Sequence, residues 1–306
     1  MDFSSAMIFA SGIFSNEPVR TAMVVGGGAA LVSGVVGVFT VIRGQSFAGH
    51  ALADVSSAGG AASFLLGINP LLGFLIMAVL AAGGMEMVQV RRARERDLVT
   101  GVVLGAGLGL AALLLYMDVT SGSTTGAAIT IMFGSMFAIP ASIIPLALLV
   151  GAGALLTMGM IYRPLLLSSL DPDLAAVRGV HPRLIGLLHL VVLALAVSLS
   201  AITVGAILST ALLIGPAAIA LRLAKRPAWA VFIAALAGVV ATWGGIVLAY
   251  DSYYWTPGHG WPVSFFVVTL IFLMYFAAGC TGRGRDTGSR GSRARAWGRD
   301  ERPDEG

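Results

Sequence analysis

His50 and Asp54 stand four residues apart in a stretch otherwise made of Ala, Gly, Ser, Leu, Val and Phe. On an α-helix, residues at i and i+4 share a face and their side chains meet. An imidazole nitrogen beside a carboxylate oxygen suits divalent zinc, manganese or iron. Two donors do not complete a site, so the rest must come from other helices. The same spacing also allows a plain His–Asp hydrogen bond that satisfies both groups, and spacing alone does not choose between the two. His189 is a lone histidine in a second apolar stretch, either a pathway ligand or a ring satisfied in the core. Glu86 lies little more than a turn before a basic cluster that begins at Arg91 and runs through Arg92, Arg94 and Arg96, which suits a snorkelling or paired carboxylate. Asp118 is expected at a solvated rim, and His259 in an exposed loop.

The segments that must position these groups are hydrophobic helices. Of 306 residues, 57% are hydrophobic and 11% charged. A soluble domain carries about 25% charged residues, so the chain is read as an all-α, polytopic transmembrane bundle. A span needs about 20 mostly apolar residues. About nine segments qualify (eight is possible): 20–42, 46–67, 70–90, 98–118, 139–162, 184–204, 205–224, 228–250 and 263–279. Residues 126–138 are apolar but too short to cross, and Gly134 and Pro140 interrupt them, so a re-entrant or interfacial segment is expected. The junction at Gly205 has no polar loop and predicts a tight hairpin. The domain plan is an interfacial segment at 1–19, a transmembrane domain at 20–279 and a disordered tail at 280–306 rich in Gly, Arg, Ser and Asp. The Tyr- and Trp-rich loop 251–262 reads as an interfacial aromatic belt or as a docking surface for an external partner.

Charge placement gives an orientation. With nine spans and the N-terminus outside, all but Arg20 of the 19 basic residues fall on the inner side, as the positive-inside rule requires. The tail is then cytoplasmic. A single cysteine, Cys280, excludes an internal disulfide. The net charge of +4 is no evidence for nucleic acid, and no such partner is expected. The chain has no Gly-rich loop followed by Lys and Ser or Thr, so it carries no P-loop for ATP. The glycines at 26–28 and at 105, 107 and 109 lie inside apolar spans, where close helix packing explains them.

One segment stands apart. In Asp171-Pro172-Asp173-Leu174-Ala175-Ala176-Val177-Arg178-Gly179, Asp171 can cap a helix, Pro172 suits its first position, and Asp173 favours the positive end. Gly179 suits the position just past the C-terminus. Roughly two turns of helix are too short to stand alone in water. Such a helix, held between two spans on the inner side, needs a partner surface.

Three groups of residues resemble the permease subunits of the bacterial zinc/manganese/iron ABC importers. Gly37-Val38-Phe39 through Ser46-Phe47-Ala48-Gly49 is similar to the end of that family's first span and its entry to the second. Tyr162-Arg163-Pro164-Leu165-Leu166, followed by Asp171, Ala175 and Gly179, resembles its ATPase-contacting segment. Val204-Gly205-Ala206-Ile207-Leu208, Ala211-Leu212-Leu213 and Pro216-Ala217-Ala218 resemble its seventh-span pattern. The likeness covers about residues 16–278. It implies a type II ABC importer permease in a bacterial cell membrane: a homodimer, with a separate ATPase and an external metal-binding protein. It further implies ATPase coupling through Arg163, Asp171, Asp173, Ala175, Arg178 and Gly179. A metal pathway through His50, Asp54 and His189 would carry zinc, manganese or iron as substrate, with no permanent cofactor. One departure is clear. The family's usual Asp-Ala-x-Ser-His is here His50-Ala51-Leu52-Ala53-Asp54, so the two donor types are exchanged at the same spacing. A permease for a metal chelate, a secondary transporter using the three side chains as a proton relay, and an intramembrane enzyme are the other readings; the last two leave the 171–179 helix without a purpose.

Overall fold

The structure, a computed structural model, describes residues 15–87, 93–121, 126–134, 136–255 and 260–297. They form eleven α-helices: α1 (Glu17–Ile42), α2 (Ser46–Leu66), α3 (Pro70–Met87), α4 (Ala93–Ser121), α5 (Ala127–Phe133), α6 (Ile144–Leu170), α7 (Pro172–Val177), α8 (Pro182–Val204), α9 (Ala206–Leu223), α10 (Pro227–Trp255) and α11 (Val263–Trp297). No strand occurs among the described residues. Helix starts and stops follow local chemistry. Pro70, Pro172, Pro182 and Pro227 each open a helix, where the missing N–H costs nothing. Gly44, Gly67, Gly134, Gly179 and Gly205 sit at helix ends with positive φ.

Eight of the helices are long and apolar enough to cross a membrane, among the described residues. The expected second span, α2, is not one of them. Its 21 residues are long enough, about 31 Å at 1.5 Å per residue. Its serines, glycines, His50 and Asp54 make it more polar, which is tolerable because α3, α4, α8 and α9 surround it. The closest approach is to α3. A Cβ on Gly59 or on Gly73 would fall 2.0–2.2 Å from a backbone oxygen or hydroxyl across the contact, so the two backbones touch where only glycine fits.

Among the eight apolar spans α1 and α8 are the most enclosed, and Ser33 Oγ meets Ser200 Oγ at 2.6 Å between them. An interhelical hydrogen bond of this kind contributes on the order of 0.6 kcal/mol in a membrane bundle. Residues 126–138 form α5 and a short 3₁₀ turn that pack on the α8–α9 junction. There Gly205, at φ +93°, lies so close to Met132 and Gly134 that any side chain would clash.

Several boundaries differ from the sequence expectation. The span expected at 139–162 begins at Ile144, after a 3₁₀ turn between Pro140 and Pro145, and runs on through Pro164 to Leu170. It therefore projects beyond the apolar stretch and delivers Asp171 to the start of α7. The apolar part of α11 ends at Cys280, but helix continues to Trp297. Position 280 is thus a change in composition within that helix; no proline lies between it and Trp297, and propagation is easier than nucleation. Asp118 is fully buried rather than solvated. The short α5 follows a few residues later and packs back on α4. Residues 1–14, Arg91, Arg92 and His259 lie outside the described residues.

Candidate functional site

His50 lies one turn into α2 and Asp54 one turn further. Nε2 of His50 is 3.4 Å from Oδ2 of Asp54. The other ring nitrogen, Nδ1, is 2.9 Å from Oγ1 of Thr210 on α9. The imidazole therefore bridges two helices, with a carboxylate on one side and a hydroxyl on the other. Asp54 is nearly enclosed, with its side chain 11% exposed, whereas the His50 side chain is 41% exposed. Phe47 and Ile207, one turn before His50 and Thr210 on their helices, are exposed as well. The pair thus sits at an open seam between α2 and α9. An ionisable ring at membrane depth does not face lipid without a large cost. A second protein surface or an aqueous path must cover the seam.

His189 does not join this pair. No group of three or more His, Cys, Asp or Glu able to hold a metal occurs among the described residues. The ring is fully buried on α8, and neither nitrogen has a hydrogen-bond partner among the described residues. Thr210 is the contact that the spacing could not reveal, since it lies 160 residues away in sequence. The only hint was its place within the 204–218 motif.

Asp171 receives the N–H of Leu174 on its Oδ1 at 2.9 Å, and so caps α7. At the other end Gly179 N–H bonds Ala176 O and Val180 N–H bonds Ala175 O, both at 3.0 Å. These two bonds around a left-handed glycine, φ +77°, make a Schellman close. Ala175 alone is buried against the bundle, while Arg163, Asp173 and Arg178 are exposed. Leu170, Leu174 and Val177 are exposed beside them. The result is a short capped knob with an apolar crest and a charged flank.

Arg43 ties the end of α6, which leads into the knob, to the start of α2, which carries the pair. It sits in the α1–α2 turn, three residues before α2 begins. Its Nη1 donates to Ser168 and Ser169 Oγ near the end of α6, at 3.3 and 3.2 Å, and its Nε donates to Gln45 Oε1 at 3.2 Å. Arg43 also lines a cavity of about 270 Å³ with Glu86, Asp97 and Arg183, so Glu86 faces these groups. Phe39 and Tyr162 meet edge to face at 5.5 Å and add an apolar contact between α1 and α6.

Known proteins resemble this chain in sequence and in fold. The chain is 28% identical over 271 residues to the manganese transport system membrane protein MntC of Listeria innocua, covering 88% of this chain and 94% of the relative. It is 32% identical over 239 residues to the manganese import system permease protein ScaB of Streptococcus parasanguinis, covering 78% and 82%. Among solved structures, PsaBC from Streptococcus pneumoniae, in complex with Fab, superposes with a TM-score of 0.75 at 25% identity, covering 87% of this chain and 92% of that one. The model of the ABC 3 transport family matches residues 15–279, essentially the whole bundle, and the chain belongs to that family as a multi-pass membrane permease subunit of an ABC transporter.

Proposed function

We propose that the chain is the permease of an ATP-driven importer of a divalent metal, manganese or zinc, and that His50 and Asp54 contact the ion as it passes. The observation that carries this is the half-open pair on α2, 3.4 Å between donor atoms, at a seam that cannot face lipid. A second copy of the chain across the seam would supply a symmetry-related pair, giving two nitrogens and two oxygens. That set suits zinc or manganese better than a chelate, whose metal already has its ligands. α7 would dock on a separate ATPase subunit, since this chain has no P-loop, and an external binding protein would deliver the ion. The basic residues put the N-terminus outside and α7 in the cytoplasm.

The test is uptake of radiolabelled manganese and zinc by vesicles holding the permease with its cognate ATPase and metal-loaded binding protein. Asp54→Asn keeps shape but removes the charge that offsets a divalent ion, and uptake should fall strongly with the complex still assembled. His50→Gln should reduce zinc uptake more than manganese, which tolerates oxygen donors better. Parental uptake of both metals by the double variant His50→Ala, Asp54→Ala would make the pair structural.

A further inference from the structure

We infer that Thr210 is a positioning residue for the metal pair, one that holds the His50 ring fixed in both of its neutral tautomers. This rests on the pathway role proposed for His50 and Asp54. With no ion present, a ring proton on Nε2 faces the Asp54 carboxylate, whose Oδ2 lies 3.4 Å away. Nδ1 then carries a lone pair, and the Thr210 hydroxyl donates to it across 2.9 Å. An ion held between Nε2 and the carboxylate needs the Nε2 lone pair. The ring proton must then sit on Nδ1, where it donates to Thr210 Oγ1. One N–H is lost at Nε2 and one is formed at Nδ1; the ring stays neutral and no net proton is taken up or released.

A hydroxyl is the smallest group that serves both states, because it donates and accepts by rotating one bond. A backbone carbonyl would favour only the metal-binding tautomer and so bind the ion more tightly than a transporter can use. Valine, close to threonine in shape, would favour neither. Partners behind a metal-ligating histidine orient the ring and raise its basicity, and removing one lowers affinity or activity about 10- to 100-fold.

The experiment compares Thr210→Val and Thr210→Ser in the full transporter with its ATPase and metal-loaded binding protein, reading initial uptake of radiolabelled zinc and manganese. Thr210→Val should lower zinc uptake about tenfold or more, manganese uptake less, and so change the zinc-to-manganese ratio. Thr210→Ser should restore both rates to within about twofold, because it keeps the hydroxyl. In a His50→Ala background Thr210→Val should have no further effect. Thr210→Ala, which also lacks the hydroxyl, takes the place of the valine variant if that one does not assemble. Equal loss of both metals in Thr210→Val and Thr210→Ser, or parental zinc uptake in the hydroxyl-free variants, overturns the role of Thr210. Parental uptake in His50→Ala, Asp54→Ala instead overturns the pathway reading beneath it, so the two failures are distinct.

Discussion

Asp171→Ala combined with Gly179→Ala should disconnect the bundle from its ATPase while leaving the bundle folded. Asp171 makes one cap bond, at 2.9 Å to Leu174 N–H, and its loss costs about 1 kcal/mol. Gly179 adopts φ +77°, where alanine costs about 1–2 kcal/mol more than glycine. α7 has six residues and only Ala175 buried, so it has no reserve of propensity or packing with which to absorb the loss. Each kcal/mol lowers the ratio of ordered to disordered helix about fivefold, so in the double variant that ratio should fall on the order of 100-fold. ATPase binding to the detergent-solubilised permease, measured by titration, should weaken to match. The thermal transition of the permease alone should not move, because α7 adds little to the core. Asp171→Asn is the control: asparagine caps as well as aspartate, so it should bind near parentally. Parental ATPase affinity in the double variant would refute the docking of α7, and an Asn variant as weak as the Ala variant would transfer the effect from cap to charge.

Further outcomes follow from the same geometry. Leu174→Asp, on the exposed crest of α7, should weaken ATPase binding without changing expression, checked by co-purification. Arg43→Met removes the bonds to Ser168, Ser169 and Gln45 and should lower metal taken up per ATP hydrolysed, read from paired uptake and hydrolysis rates. His189→Leu exchanges an unpartnered buried ring for an apolar side chain; it should leave uptake parental and raise the melting temperature, and a loss of uptake in folded protein would return His189 to the pathway. In a Cys280→Ser background, cysteines at Tyr253 or Ser121 should react with an impermeant reagent from outside, and those at Arg178 or Lys225 only after lysis; the reverse pattern would overturn the orientation.

The features most legible in the sequence are those set by neighbours in the chain. The helix at 172–177 is written in Asp171, Pro172 and Gly179, whose effects act within a few residues, and each takes the local role its type suggests. The long helices are legible because the solvent they avoid imposes apolar runs of fixed length. What was illegible depends on which face meets which neighbour. Thr210 against His50 and Arg43 against Ser168 are contacts across 160 and 125 residues, and no local pattern marks them. Asp118 and His189 show the same limit. Their apolar surroundings were plain, but whether each was buried or joined to another donor depended on how α4 and α8 rotate in the bundle. The apolar run at 126–138 was ambiguous because its length excluded a span without saying where it would pack. Gly134 and Gly205 resolve it only once their backbones are seen in contact.

The incompleteness of the donor set in one chain fits transport better than storage. A resident zinc site closes four ligands around the ion and contributes to folding outright. Here one copy offers a single imidazole and a single carboxylate, and no third donor of their kind joins them among the described residues. Without an ion the two groups face each other, the imidazole Nε2 lying 3.4 Å from the carboxylate and Thr210 meeting the far nitrogen. An arriving ion must part that contact, which subtracts from its affinity, and a departing ion leaves behind groups already placed to face each other. The exchanged order of the two donors, His first and Asp second, preserves this balance because both remain on one face of α2 at the same spacing. What the exchange alters is depth: the carboxylate moves one turn, about 6 Å, further into the bundle, and the imidazole is the group left at the open seam. An ion crossing from the outer side would thus meet charge before nitrogen. Zinc, which gains more than manganese from the imidazole, should therefore be the metal whose uptake is most sensitive to changes at His50, and manganese the one most nearly governed by Asp54.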